Sequence, residues 1–192
     1  MAAINRTPDA WVRLGLAAPD GKSLGLLFNV FQGKAGPIVH RCRVRCVGVR
    51  EYHLEALDGG GLRLYDSRHP LARQYSAPRA RIKVTPLAES AAVLAALVQA
   101  HSRTLGDWVP PDRYLGALAD FPTRVAADGL EVSGPDFLLR SYEKALRRLG
   151  VSVSSQAYPR RRQPVRTKVL HFSQSFVVAE AFKAEILNED DQ

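Results

Sequence analysis

Three long stretches of this chain carry no aspartate or glutamate: residues 21–50, 67–88 and 144–179. Together they hold 19 of the 27 Lys and Arg residues and none of the 19 acids. A solvated surface ordinarily mixes signs, because like charges set side by side repel. Segregation on this scale creates a positive field, which recruits phosphates, anionic membranes or acidic proteins.

Cysteine is scarce too. Cys42 and Cys46 are the only two. Two thiols cannot by themselves complete a four-ligand zinc site. Placed four apart on one extended strand, their Cα atoms stand about 13 Å apart, which excludes a disulfide between them. They read as buried, small apolar residues, with a Cys/His metal site including His40 as the competing use. No disulfide framework, no apolar signal core in residues 1–20 and no run of roughly 18 apolar residues lead to the expectation of a cytoplasmic protein without a membrane span. Also missing are the nucleophile elbow, the H-E-x-x-H pair, the P-loop and the dinucleotide fingerprint. RNP1, zinc-finger and basic-zipper spacings are absent as well. No cofactor and no metal are expected, and no residue carries a catalytic signature.

What is present begins with a stripe. In Ile38–Leu57, Cys42, Val44 and Cys46 alternate with Arg41, Arg43 and Arg45. Period-two alternation marks a half-buried strand, here with guanidinium groups about every 6.6 Å along its wet face. Gly48 marks a bend, because glycine inside a strand often sits at a bulge. Arg79–Val84 repeats the pattern: Arg79, Arg81 and Lys83 oppose Ala80, Ile82 and Val84. If both strands lie in one sheet, that sheet is a basic platform. Arg160, Arg161 and Arg162 fall between Pro159 and Pro164, with Arg166 and Lys168 just beyond, and the segment reads as an exposed loop over 159–168.

Around these stripes, Leu24–Phe31 and Leu62–Asp66 read as strands, with Asp58–Gly61 as a hairpin turn and Ser67–Pro78 as a loop. Leu87–Arg103 has helical spacing, with His101 on or beside its apolar stripe. Ser133 reads as the N-cap of a helix running to Leu149. Phe121–Leu130 reads as loop with one short strand, Val169–Phe172 as a strand, and Ser175–Leu187 as an amphipathic closing helix.

The fold class is α+β: a mainly antiparallel, open or barrel-like sheet from the N-terminal half, packed by helices from the C-terminal half. At 192 residues and 46% hydrophobic content the chain can bury a core as one domain or as two regions, 1–88 and 89–192. The net charge of +8 and the stripes point to a non-catalytic nucleic-acid-binding protein, or a subunit of a nucleoprotein complex, that grips backbone phosphates. Its contacts would be Arg41, Arg43, Arg45, Arg79, Arg81, Lys83, Arg160, Arg161, Arg162, Arg166 and Lys168. Tyr52, Tyr65 and Tyr75, close to the basic strands in sequence, permit base stacking. The partner is DNA or RNA, with other protein subunits as further partners and no membrane. One alternative is an interaction module for an acidic protein. Another is a metal-independent nuclease centred on His69, with Arg68 and Tyr75 beside it.

Overall fold

The alternation that marks the opening stripe recurs in the strands before it. In Ser23–Gln32 (β2), Leu24, Leu26, Phe28 and Val30 are buried while the intervening residues are half-exposed. In Ile38–Val47 (β3), Cys42, Val44 and Cys46 are buried and the three arginines between them exposed. The computed structural model describes residues 10–21, 23–55, 58–87, 89–158 and 165–187. The chain forms two compact units: residues 1–72 with 165–192, and residues 73–164. Residue 88 is therefore not the dividing point, because the C-terminal strands return to the first unit.

The first unit contains two antiparallel sheets. Ala10–Asp20 (β1) pairs with β2, and β2 with β3. Asp58–Gly60, expected as a turn, is instead an edge strand (β5) beside β1. Ala181–Leu187 (β12) closes the other edge against β3. The order is β12-β3-β2-β1-β5. The second sheet follows the order β4-β11-β10-β6, where β4 is Glu51–His53, β6 Arg63–Tyr65, β10 Lys168–Phe172 and β11 Ser175–Ala179. The expected closing helix over 175–187 is thus two strands, one in each sheet. Neither sheet closes into a barrel.

The first unit's core lies between the inner faces of these sheets. Val12, Leu14, Phe28, Val30, Cys42 and Val44 come from one side, Leu170, Phe172 and Val177 from the other. Phe28 and Phe172 meet edge-on with ring centroids 5.0 Å apart, a favoured aromatic geometry. Gly48 turns the chain from β3 into β4 at φ 65°. The left-handed φ is what requires glycine there, since the nearest atoms to an added Cβ belong to the mobile end of the Glu180 side chain.

The second unit has a three-stranded sheet, β8-β7-β9: Leu130–Pro135, Arg79–Val84 and Ser154–Ala157. The two arginine-striped strands therefore belong to different sheets in different units, which corrects the shared-platform expectation. Pro70–Ser76 (α1), placed in a loop from sequence, is a short helix spanning the division between units. Ser90–Leu105 (α2), Asp112–Leu115 (α3), Phe121–Asp128 (α4) and Asp136–Arg148 (α5) complete the helices. Ser133 does not cap α5. It lies inside β8, and the helix begins after Pro135. Asp136 in the first turn and Arg147 and Arg148 in the last complement the helix dipole of α5.

Helices α2 and α5 are joined by a buried polar contact. His101 Nε2 lies 2.6 Å from the Val109 carbonyl, which can only accept, so Nε2 carries the proton. Nδ1 then accepts from the Tyr142 hydroxyl at 2.7 Å. Both side chains are fully buried. Burial lowers the imidazole pKa of His101. The folded value lies below the unfolded value of about 6.5, so the unfolded chain binds protons more readily. Stability from this site is complete above about pH 6.5 and declines as pH falls through it. Urea midpoints should drop between about pH 7.5 and about pH 5.5, and the drop should shrink in His101→Gln. Tyr142→Phe, which strands the imidazole acceptor, should cost about 1–3 kcal/mol at neutral pH.

Candidate nucleic-acid interface

Burying Cys42, Val44 and Cys46 commits Arg41, Arg43 and Arg45 to the outer face of the five-stranded sheet. Strand register then sets their neighbours. Trp11 lies opposite Phe31, and Phe31 opposite Ile38. The next outward row is Arg13, Asn29, Arg41 and Leu187. After a bulge at Gly15 the following row is Leu16, Leu27, Arg43 and Glu185. The last is Ala18, Gly25, Arg45 and Lys183.

This face is divided lengthwise. Along β3 and β12 it is cationic, with Arg41, Arg43, Arg45 and Lys183 all exposed. Along β1 and β2 it is largely apolar, with Leu16 58% and, at the β3 end of the first row, Ile38 47% exposed. Two cations lean onto aromatic rings: Arg13 sits 5.2 Å from the Phe31 centroid and Lys34 5.5 Å from that of Trp11. The Trp11 indole N–H is buried and has no acceptor among the described residues.

Two carboxylates touch the face. Glu185 pairs with Arg43 at 3.0 Å and Asp58 with Arg13 at 3.7 Å. All four side chains are about half exposed or more, and such pairs contribute only about 0–1 kcal/mol. A phosphate can displace them at little cost. Among the described residues no carboxylate pairs with Arg41 or Arg45.

The stripe on β7 has a different environment. Glu131 of β8 lies opposite Lys83 in register. Its carboxylate bonds Lys83 at 2.9 Å and Arg81 at 3.1 Å. The Lys83 hydrogen bond is the main reason its pKa is lowered. Arg81 also donates through Nε to the Tyr158 hydroxyl at 2.8 Å, and that hydroxyl lies 3.3 Å from Ser133 Oγ. Arg81 and Lys83 thus share one carboxylate, which offsets one of their two charges, and Arg79 is the cation of that stripe without a carboxylate among the described residues. Lys168 is exposed at the start of β10 and Arg166 is exposed two residues before it. Arg160, Arg161 and Arg162 lie outside the described residues.

His69 belongs to the first unit and Tyr75 to the second. Tyr75 accepts from Arg113 Nη2 at 2.9 Å within the second unit. His69 Nδ1 accepts from the Leu71 amide at 3.3 Å. Its ring lies 4.6 Å from Tyr65, and His171 lies on Tyr65 as well, at 6.2 Å. Arg63 is the cross-strand partner of His171. Burial lowers both imidazole pKa values, with His171 further opposing the protonation of His69 and Arg63 that of His171.

Sequence reasoning missed Arg13, Trp11, Phe31 and Lys183 as members of the main face. Trp11 and Arg13 alternate with Val12 and Leu14, a readable strand signal. Lys183 was hidden by the helical reading of its segment. No family model, no curated protein and no solved structure matches this chain. No helix among the described residues is long and apolar enough to cross a membrane. Nor do the described residues hold a group of three His, Cys, Asp or Glu able to bind a metal. His40 is exposed while Cys42 and Cys46 are buried, which argues against the three sharing an ion.

Burial raises both thiol pKa values, that of Cys46 to about 12. The folded protein should therefore be inert to a disulfide reagent at about pH 8, with both thiols reacting once it is unfolded. A native thiol reacting as fast as in the unfolded chain would mean that the inner face of this sheet is open to solvent.

Proposed function

We propose that this protein binds nucleic acid without catalysis, alone or as a subunit of a nucleoprotein complex. Its grip is on backbone phosphates, through the outer face of the five-stranded sheet. The observation that carries this reading is the exposed Arg41–Arg43–Arg45 row, bordered by Lys183 and opposed by Glu185. Arginine suits phosphate because its planar fork donates two parallel hydrogen bonds. Arg166 and Lys168 extend the cationic surface of the same unit. Arg79, Arg81 and Lys83 form a second, weaker basic strip, offset by Glu131. Binding of this kind is steeply salt-dependent and weakly sequence-specific. Fluorescence titrations with labelled DNA and RNA should show binding at about 50 mM salt that falls linearly in log–log form as salt rises. Replacing Arg41, Arg43 and Arg45 by Gln together should reduce that slope by roughly 2–3, whereas Arg81→Gln should change it little. No affinity for either polymer at low salt would end this reading and favour an acidic protein as partner.

A second reading attaches to the histidine pair. His69 and His171 flank Tyr65 with Arg63 beside them, a set suited to cleaving RNA without metal. The 2′-hydroxyl would lose its proton to one imidazole and attack the adjacent phosphorus. Because both imidazole pKa values are lowered, the other imidazole carries a proton only on the acid side of neutral, where it would donate to the departing 5′-oxygen and leave a 2′,3′-cyclic phosphate. Cleavage in the presence of a chelator should then be lost in His171→Ala and absent with 2′-deoxy substrate. Unchanged RNA after long incubation with the wild type removes this reading and leaves the binding one intact.

A further inference from the structure

The lengthwise division of the outer face carries more than phosphate affinity. One half is a cation row on β3, continued by Lys183 on β12. The other half exposes Leu16 and carries Phe31, Trp11 and Leu27 on two adjacent strands. Strands β1 and β3 are separated by two strand spacings, about 10 Å. A single-stranded nucleic acid has the same two-sided character, with phosphates along one edge and apolar base faces along the other. A duplex does not, because its base faces are stacked inside. Nor does a five-stranded sheet enter a groove, since the major groove admits a helix or a two-stranded ribbon.

We propose that the ligand of this face is a single-stranded segment, its backbone along β3 and its bases over Phe31, Trp11 and Leu16. This rests on the nucleic-acid reading above and names the form of the polymer. The phosphates replace Glu185 on Arg43 and add to Arg41 and Arg45, which have no carboxylate partner among the described residues. The bases replace the guanidinium of Arg13 on Phe31 and the ammonium of Lys34 on Trp11. Base–aromatic stacking tolerates any sequence, because every base has a π face. The buried indole N–H of Trp11 is a second pointer. It lacks an acceptor among the described residues, and a rotation of the ring toward a bound base or phosphate supplies one.

The chain has two tryptophans, Trp11 and Trp108. In a Trp108→Phe protein, emission reports Trp11 alone. Three probes separate the possibilities: a short oligothymidine single strand, a duplex of equal length, and inorganic polyphosphate. The single strand should bind at least about tenfold more tightly than the duplex and quench Trp11, while polyphosphate binds without quenching. Phe31→Leu should weaken single-strand binding by about 5- to 150-fold, the range for losing one stacked base, with the salt slope unchanged. Leu16→Glu alters a side chain that is already 58% exposed, so it tests the apolar half without disturbing the core. It should weaken the single strand more than polyphosphate. Equal affinity for single strand and duplex, or undiminished binding by both variants, overturns the single-strand assignment while the phosphate grip stands. Failure of all three probes to bind removes the phosphate grip itself.

Discussion

Apolar contact between the two sheets of the first unit decides where every arginine of β3 points. Cys42, Val44 and Cys46 must face Leu170, Phe172 and Val177 to complete the core. The pleat then sends Arg41, Arg43 and Arg45 the other way. A slip of one residue in register would bury three guanidinium groups and expose the core set. Uncompensated buried charge is among the most expensive errors a fold can make. The basic row is thus held in place by packing on the opposite face. Changes in the arginines should leave the stability of the folded protein little altered.

The two arginine stripes look alike in sequence and differ in partner. β7 lies beside β8, which brings Glu131 between Arg81 and Lys83. β3 lies beside β2, which offers Asn29, Leu27 and Gly25 at the matching positions. On its other side β12 brings Lys183, Glu185 and Leu187. The same alternation therefore gives a strip whose two inner cations share one carboxylate in one unit, and in the other a row where one arginine of three is paired among the described residues. Charge along the chain was a fair guide to where cations concentrate, but strand pairing determined which of them keep their field.

The β3 stripe, the bend at Gly48 and the α+β class were legible because they rest on local alternation and on one glycine. The C-terminal strands were not. Phe176, Ala179, Phe182 and Ile186 fit a helical stripe, yet Val177, Val178 and Ala179 are all buried in β11. A strand covered on both sides loses its alternation and resembles a buried helix. The hinge between β11 and β12 at Glu180, which moves the chain from one sheet to the other, has no composition signal. Sheet membership was equally hidden. Nothing local tells Arg79 that it will belong to a different unit from Arg41, or tells Trp11 that it will sit across from Phe31. The candidate site was read from its charges, while its aromatic half emerged only from register.

Because residues 73–164 form their own unit, they interrupt the chain of the first. β3 gains its neighbour β2 at once but its other neighbour, β12, only after that whole unit has been made. On the ribosome, the free edge of β3 waits with its amides and carbonyls unpaired, a template for sticking to other nascent chains. Arginine at every second position is the kind of side chain that keeps such an edge from being captured. An exposed arginine row would thus guard the half-built molecule, so neutralising it should lower the yield of folded protein even where the stability of the folded protein is unchanged.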